Sequence, residues 1–188
     1  SHARVTLNQD GSLLVETDMT DIGTGTYAIL TQIAGEMLGL PSDRVTVRLG
    51  DSSLPKAAGS GGSWGAASSG GSVFVACEAL RKKIAEAMGV DERDLTLQDG
   101  VATANNRRAD LPEFTKDGPL TVKGTIKKGD TQTDRRQATF GAFFAEVGVN
   151  SVTGETRVRR MHGSFAAGRI LNAKTARSQC LGGMTFGI

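Results

Sequence analysis

Glycine placement constrains this chain more than any other feature. Three glycine-dense segments, 20–27, 59–72 and 177–187, each adjoin or interrupt apolar residues at helical spacing. Each Gly inside a helix costs about 1 kcal/mol relative to Ala, so glycine at these places calls for a reason. Between the first two segments, Ile29, Leu30, Ile33, Ala34, Met37 and Leu38 form one helical face, and Gly39 followed by Pro41 ends it. After the second segment, Val73, Cys77, Leu80, Ile84 and Met88 form another. In the third, Asn172 is placed to cap a helix on which Ala176, Cys180, Met184 and Ile188 share a face.

The strand patterns are local as well. Ala3–Leu7 and Leu13–Thr17 flank Gln9-Asp10-Gly11, whose Asp-Gly step supplies the positive φ of a hairpin turn. Leu95–Leu97 and Val101–Thr103 flank a second Gln-Asp-Gly at 98–100, which hints at a repeated unit. Arg44–Leu49 alternates like a half-buried strand, and Leu120–Val122 is a short strand within the polar stretch Asn105–Gln137, otherwise read as surface loops. Thr139–Val149 and Glu155–His162 flank the turn at 150–154. Together these predict an α+β fold, antiparallel hairpins packed with about three helices, in one domain or in two lobes, 1–104 and 105–188.

Charge and cysteine usage exclude several functions. The 22 Lys and Arg nearly balance the 20 Asp and Glu and are scattered, apart from pairs such as Arg107-Arg108 and Arg135-Arg136. No nucleic-acid or membrane footprint is expected. Cys77 and Cys180 lie too far apart for a zinc or iron–sulfur spacing, and His2 and His162 lack ligand-spaced partners, so no metal held by protein side chains is expected. The first residues lack a signal-peptide pattern, and the compartment stays open. A start without Met and an end without a helix stop signal suggest a segment of a longer protein.

Each glycine-dense segment has two readings. Asp21-Ile22-Gly23-Thr24-Gly25-Thr26 sits between a strand and a helix, where exposed amides and the positive helix end suit a phosphate. The same residues would also make a tight turn capped by Thr24 or Thr26. They lack the third Gly of the dinucleotide fingerprint and the Gly-Lys-Ser/Thr of the P-loop. Gly59 to Ser72, with the chain's single Trp at 64, is either a second anion cradle or a linker; residues 50–72 as a whole read as a loop. In Arg177–Gly187 the adjacent Gly182 and Gly183 imply a close approach to the backbone, by a ligand or by another helix.

Taken in order, the three segments resemble the molybdenum-cofactor-binding subunits of the xanthine dehydrogenase and aldehyde oxidoreductase family, over essentially the whole chain. The residues that carry the resemblance are Thr20–Tyr27 with Leu30–Ala34, Gly50-Asp51-Ser52 with Gly59–Ser69, and Asn172–Gly187. The bacterial three-subunit aldehyde oxidoreductases are the most similar type. The resemblance implies part of the molybdopterin-binding domain of molybdenum hydroxylases, with molybdopterin cytosine dinucleotide as cofactor and with 2Fe-2S clusters and FAD on partner subunits. It also implies oxidation of aldehydes or N-heterocycles with water-derived oxygen.

Carried over by position, Gly23, Thr24, Gly25 and Thr26 would contact the cofactor. Gly65, Ala66, Ala67, Ser68 and Ser69 would cradle its dinucleotide end, and Gln179, Cys180, Gly182, Gly183 and Met184 would line the pterin side. The family's Gly-Glu segment with its catalytic base and its upstream Gly-Gly-Phe-Gly segment have no counterpart in this sequence. No catalytic residue is therefore assigned, and the chain alone is expected to be inactive. Glu36, Glu78, Glu86 and Glu146 fall in predicted elements with surface or structural roles, and Cys77 reads as core. The alternatives are a nonenzymatic phosphate- or nucleotide-binding domain and an assembly module with merely flexible loops.

Overall fold

The computed structural model describes residues 1–127 and 138–188, so Arg135-Arg136 and the end of the predicted polar loop lie outside the described residues. The chain divides into two compact units, Ser1–Lys128 and Gly129–Ile188. This boundary differs from the expected 104/105 because a late strand returns to the first sheet. The first unit contains β1 (His2–Leu7), β2 (Leu13–Glu16), α1 (Thr26–Leu38), β3 (Val45–Arg48), α2 (Gly71–Met88), β4 (Thr96–Gln98), β5 (Val101–Ala104), β6 (Arg107–Asp110) and β7 (Leu120–Thr125). Its strands form a four-stranded sheet in the order β3-β2-β1-β7 and a three-stranded sheet in the order β4-β5-β6.

The turn at Gly11, with φ 78°, brings Leu13 opposite Leu7, so the first predicted hairpin forms as read. β3 departs from the antiparallel expectation: it pairs parallel to β2, with Leu13 opposite Val45 and α1 as the crossover. A connection containing a helix has room for such a return, whereas a short hairpin turn does not. β7 pairs antiparallel with β1 along its whole length, from His2–Thr125 to Leu7–Leu120. β6 falls where the sequence predicts polar loop: consecutive left-handed residues Asn105 and Asn106 (φ 46° and 64°) turn the chain, and Arg107–Asp110 pairs with β5.

One face of the larger sheet is covered by the two helices. Ala3, Val5, Leu7, Leu13 and Val15 are fully buried, as are Leu30, Ala34 and Leu38 of α1 and Val73, Ala76, Cys77, Leu80 and Ile84 of α2. The helical face predicted from Val73 to Met88 is thus the core face. Burial also pushes the Cys77 thiol up to about 12. A thiol so shifted holds roughly a thousandfold less thiolate near neutral pH than an ordinary one. Iodoacetamide at mildly alkaline pH should therefore leave Cys77 unmodified in the folded protein and modify it in denaturant; rapid labelling of the native protein would contradict this placement.

On the other face of the sheet from Val15, Glu16 is only 5% exposed. Arg4 Nε donates to its carboxylate at 2.7 Å, and Arg48 stands 3.7 Å from the other oxygen. Both guanidinium groups keep contact with water, their side chains being 35% and 59% exposed, so losing the carboxylate leaves neither charge buried. Glu16→Leu should destabilise the protein by about 1 kcal/mol, read from denaturant unfolding.

The second unit contains β8 (Phe140–Val149), β9 (Thr156–Ala166) and α3 (Ala173–Phe186). β8 and β9 form the long predicted hairpin, with a register shift at Glu146/Val147. α3 lies against β9, where a Cβ added at Gly163 would sit 2.8 Å from Met184 Sδ. Phe143 and Phe165 meet edge to face at 5.2 Å, while Phe140 and Phe144 stay exposed.

Candidate functional site

The loop between β2 and α1 is tied down before it reaches its glycines. Thr17 Oγ1 donates to the His2 carbonyl at 3.0 Å, and the Asp18 N–H donates to Pro55 O at 2.9 Å. The Asp18 carboxylate accepts from the Ala57 N–H, and Met19 is buried. Gly23 and Gly25 follow with φ 89° and 90°, a conformation that only glycine adopts without strain. Thr26, the first residue of α1, is 4% exposed, and Thr24 is half-buried.

Sequence reasoning missed the role of Asp21. Its Oδ1 accepts from the Gly23 N–H at 2.8 Å and its Oδ2 from the Tyr27 N–H at 3.3 Å. The predicted cap was Thr24 or Thr26; neither fills that role, and Gly25 at the N-cap makes no side-chain cap bond. The available signal was an Asx turn, an Asp two residues before a glycine with positive φ. Asp21 places a carboxylate beside amides at the positive end of α1, so an incoming phosphate would meet like charge there. A neutral, polar group would not.

The second glycine-dense segment is more helical than its composition implies. A π-helical turn, Ala66–Gly70, runs directly into α2. Glycine there answers to packing: a Cβ at Gly70 would come 3.0 Å from Ile33 Cδ1, and one at Gly71 2.3 Å from Ile126 Cδ1. At Gly65 it would come 2.8 Å from Met19 Cε, so the first two segments adjoin. The first i to i−4 bond runs from the Ser68 N–H to Trp64 O at 2.8 Å. The amides of Gly65, Ala66 and Ala67 precede it and have no intrahelical acceptor. No acidic residue lies between Asp51 and Glu78, so this helix end, unlike that of α1, carries no carboxylate of its own segment.

The hydroxyls divide by burial. Ser68 is half-buried and donates to Trp64 O at 2.9 Å. Ser69 turns inward: it is fully buried, 3.4 Å from Ser1 Oγ, and Ser72 Oγ donates to its carbonyl at 2.9 Å. Of the five positions expected to form the cradle, Gly65, Ala66, Ala67 and Ser68 reach the surface and Ser69 does not. Upstream, Asp51 folds into its own turn, accepting from the Ser53 N–H and hydroxyl at 2.8 and 2.7 Å, bonds that lower its pKa.

The third segment belongs to the second unit. Asn172 Oδ1 accepts from the Thr175 N–H at 3.0 Å, the predicted cap of α3. Cys180 and Met184 lie half-buried on one face, and Gln179 is exposed. A Cβ built at Gly182 or Gly183 meets nothing within 4 Å, so helix packing among the described residues does not account for this pair.

The four glutamates stay apart from these segments in character. Glu36, Glu78 and Glu86 are exposed on α1 and α2, and Glu146 accepts from Arg160 Nη2 at 2.8 Å. Among the described residues no cluster of three or more His, Cys, Asp or Glu could hold a metal ion, and no helix is long and apolar enough to cross a membrane. The donors on offer are neutral amides and hydroxyls. These fit a polar or phosphorylated organic group that carries its own metal, and they do not fit a bare cation. A cleft of ≈ 520 Å³ lined by Gly11, Arg44, Asp99 and Gly100 joins the two Gln-Asp-Gly turns and contains none of the residues expected to contact the cofactor.

Comparison with known proteins follows the same lines. A family model described as molybdopterin cofactor-binding domain matches residues 1–188. The aldehyde oxidoreductase molybdenum-binding subunit of Escherichia coli strain K12 is 54% identical over 188 residues, covering 100% of this chain and 26% of that protein. A probable hypoxanthine oxidase of the same strain is 30% identical, over 97% of this chain and 20% of that protein. Among solved structures, CO dehydrogenase from Oligotropha carboxidovorans superposes with a TM-score of 0.82 at 20% identity, over 98% of this chain and 24% of that one. Aldehyde oxidoreductase from Desulfovibrio desulfuricans gives 0.67 at 24% identity, over 95% and 19%. The chain thus spans about a quarter of the length of its relatives.

Proposed function

Since this chain belongs to the molybdopterin cofactor-binding domain family, we propose that it supplies cofactor contacts of a molybdenum hydroxylase, in the cytosine dinucleotide form of the cofactor. The observation that carries this reading is the start of the Ala66 helical turn, where three amides lack helical acceptors and no acidic residue of their own segment competes. A pyrophosphate fits there, because such a helix end combines donors with a positive dipole.

Each segment then has a distinct task. Gly65, Ala66, Ala67 and Ser68 bind the dinucleotide's phosphates, with Ser69 supporting them from inside. Gly23, Thr24, Gly25 and Thr26, beside the Asp21 carboxylate, face the uncharged pterin portion. Gln179, Cys180, Gly182, Gly183 and Met184 are assigned to the pterin by their place in the third segment alone. When bound, the cofactor supplies the redox chemistry by which a carbon of an aldehyde or N-heterocycle gains water-derived oxygen. The parent protein works with an iron–sulfur subunit and an FAD subunit that carry the electrons away. This chain's residues bind and orient; none of them is assigned a proton-transfer role.

Ala66→Asp tests the reading in the parent protein. Ala66 is exposed, and an acid in the first turn favours a helix, so folding should be unaffected. The new carboxylate should repel the phosphates and lower bound pterin at least about tenfold, as expected for a lost charge-assisted contact. Full pterin content in this variant would remove the assignment. A nonenzymatic nucleotide-binding or assembly module instead predicts a native parent complex with neither pterin nor molybdenum by elemental analysis.

A further inference from the structure

We propose that Trp64 is the positioning residue that holds the Gly65, Ala66 and Ala67 amides in their anion-facing orientation; this deepens the reading above and rests on it. Gly59, Gly61, Gly62 and Gly65 crowd one short stretch, and a segment of that composition behaves as flexible coil unless something ties it. Trp64 ties it at several points. Its indole N–H donates to Gly59 O at 2.6 Å, closing the loop across the ring. Its backbone N–H donates to Gly61 O at 3.2 Å, completing a turn through Gly62 and Ser63, both left-handed at φ 49° and 57°. The ring lies so close over Gly62 that a Cβ there would sit 2.9 Å from Cε3.

On its other side, Trp64 starts the helix. Its carbonyl accepts from both the N–H and the hydroxyl of Ser68, at 2.8 and 2.9 Å. One residue therefore fixes both the end of the glycine loop and the direction of the first helical amides. Burial does not explain a tryptophan here, because the side chain is 50% exposed. The upstream end of the loop is held separately, by Asp18 against Pro55 and Ala57. With both ends fixed, the amides face a ligand already ordered, and the ordering cost is not charged against binding.

The test uses the parent holoenzyme carrying Trp64→Phe, which keeps a ring but removes the indole donor. Three quantities are compared with wild type: the rate of pterin release, protease nicking at 59–65 in the cofactor-free form, and the melting temperature of that form. The expected result is release about three- to tenfold faster, the scale of one lost hydrogen bond, with faster nicking and an unchanged melting temperature. Gly62→Ala, which displaces the ring without removing it, should shift release and nicking in the same direction. Wild-type release and nicking in Trp64→Phe would overturn the proposal, and so would a fall in melting temperature that parallels the loss of pterin. Ala66→Asp separates the two levels. If it loses pterin while Trp64→Phe does not, only the role of Trp64 falls; if it keeps pterin, the phosphate site and the role of Trp64 fall together.

Discussion

Replacing Gly182 and Gly183 with alanine is expected to strengthen α3 and at the same time strip the parent protein of its cofactor. An added methyl at either position meets nothing within 4 Å, so the second unit has room for both. Alanine is the better helix former by about 1 kcal/mol per site, and thermal unfolding of the region containing α3 should move up or stay level. Natural use of two poor helix formers where better ones fit points to something outside this unit that needs the bare backbone. If that is the pterin side of the cofactor, two methyl groups should lower pterin content at least about tenfold, the effect of losing roughly 1.4 kcal/mol of contact. Normal pterin content in the double variant would leave the glycine pair without a role in cofactor binding.

Gly124→Ala should produce the largest loss of stability. Gly124 lies in β7 beneath the start of α2, and a Cβ there would fall 2.0 Å from Ser72 O and 2.5 Å from the Ala76 N. Those are helix backbone atoms, which cannot rotate away as a side-chain tip can. Accommodation requires α2 to lift from β1 and β7, uncovering Val73, Ala76 and Leu80, so the cost should reach about 3 kcal/mol or more. Urea unfolding of the parent protein measures it. Gly59→Ala serves as the comparison, since a Cβ at Gly59 meets nothing within 4 Å and should change stability by less than about 0.5 kcal/mol. The damage would also reach function, because the same helix begins at the amides assigned to the phosphates. Equal midpoints for the two variants would contradict the packing of α2 on β7.

Much of this was legible without coordinates, and the reason is range. The faces of α1 and α2, the Asn172 cap and the three hairpins follow from spacing within some twenty neighbouring residues. Family resemblance likewise rested on short, ordered segments whose residues are close in sequence. The helical start at Gly65 was not legible: Gly and Ser disfavour helix, and the side chains that crowd positions 70 and 71, Ile33 and Ile126, are distant in the chain. Hydroxyls at positions 24 and 26 look like the caps in sequence, whereas the Asp21 carboxylate is the group that takes the Tyr27 amide. Ser69 counted as a cradle residue by position, and burial turned it inward.

Local periodicity and turn chemistry determined which residues become helices and hairpins, and which glycine-dense segments attract attention. Tertiary packing decided that β3 runs parallel to β2, that β7 crosses more than a hundred residues to pair with β1, and that Ser69 turns inward while its neighbours reach the surface. Such pairings depend on which apolar faces can be buried together, and that free energy is shared among residues too far apart in the chain for any local pattern to encode it.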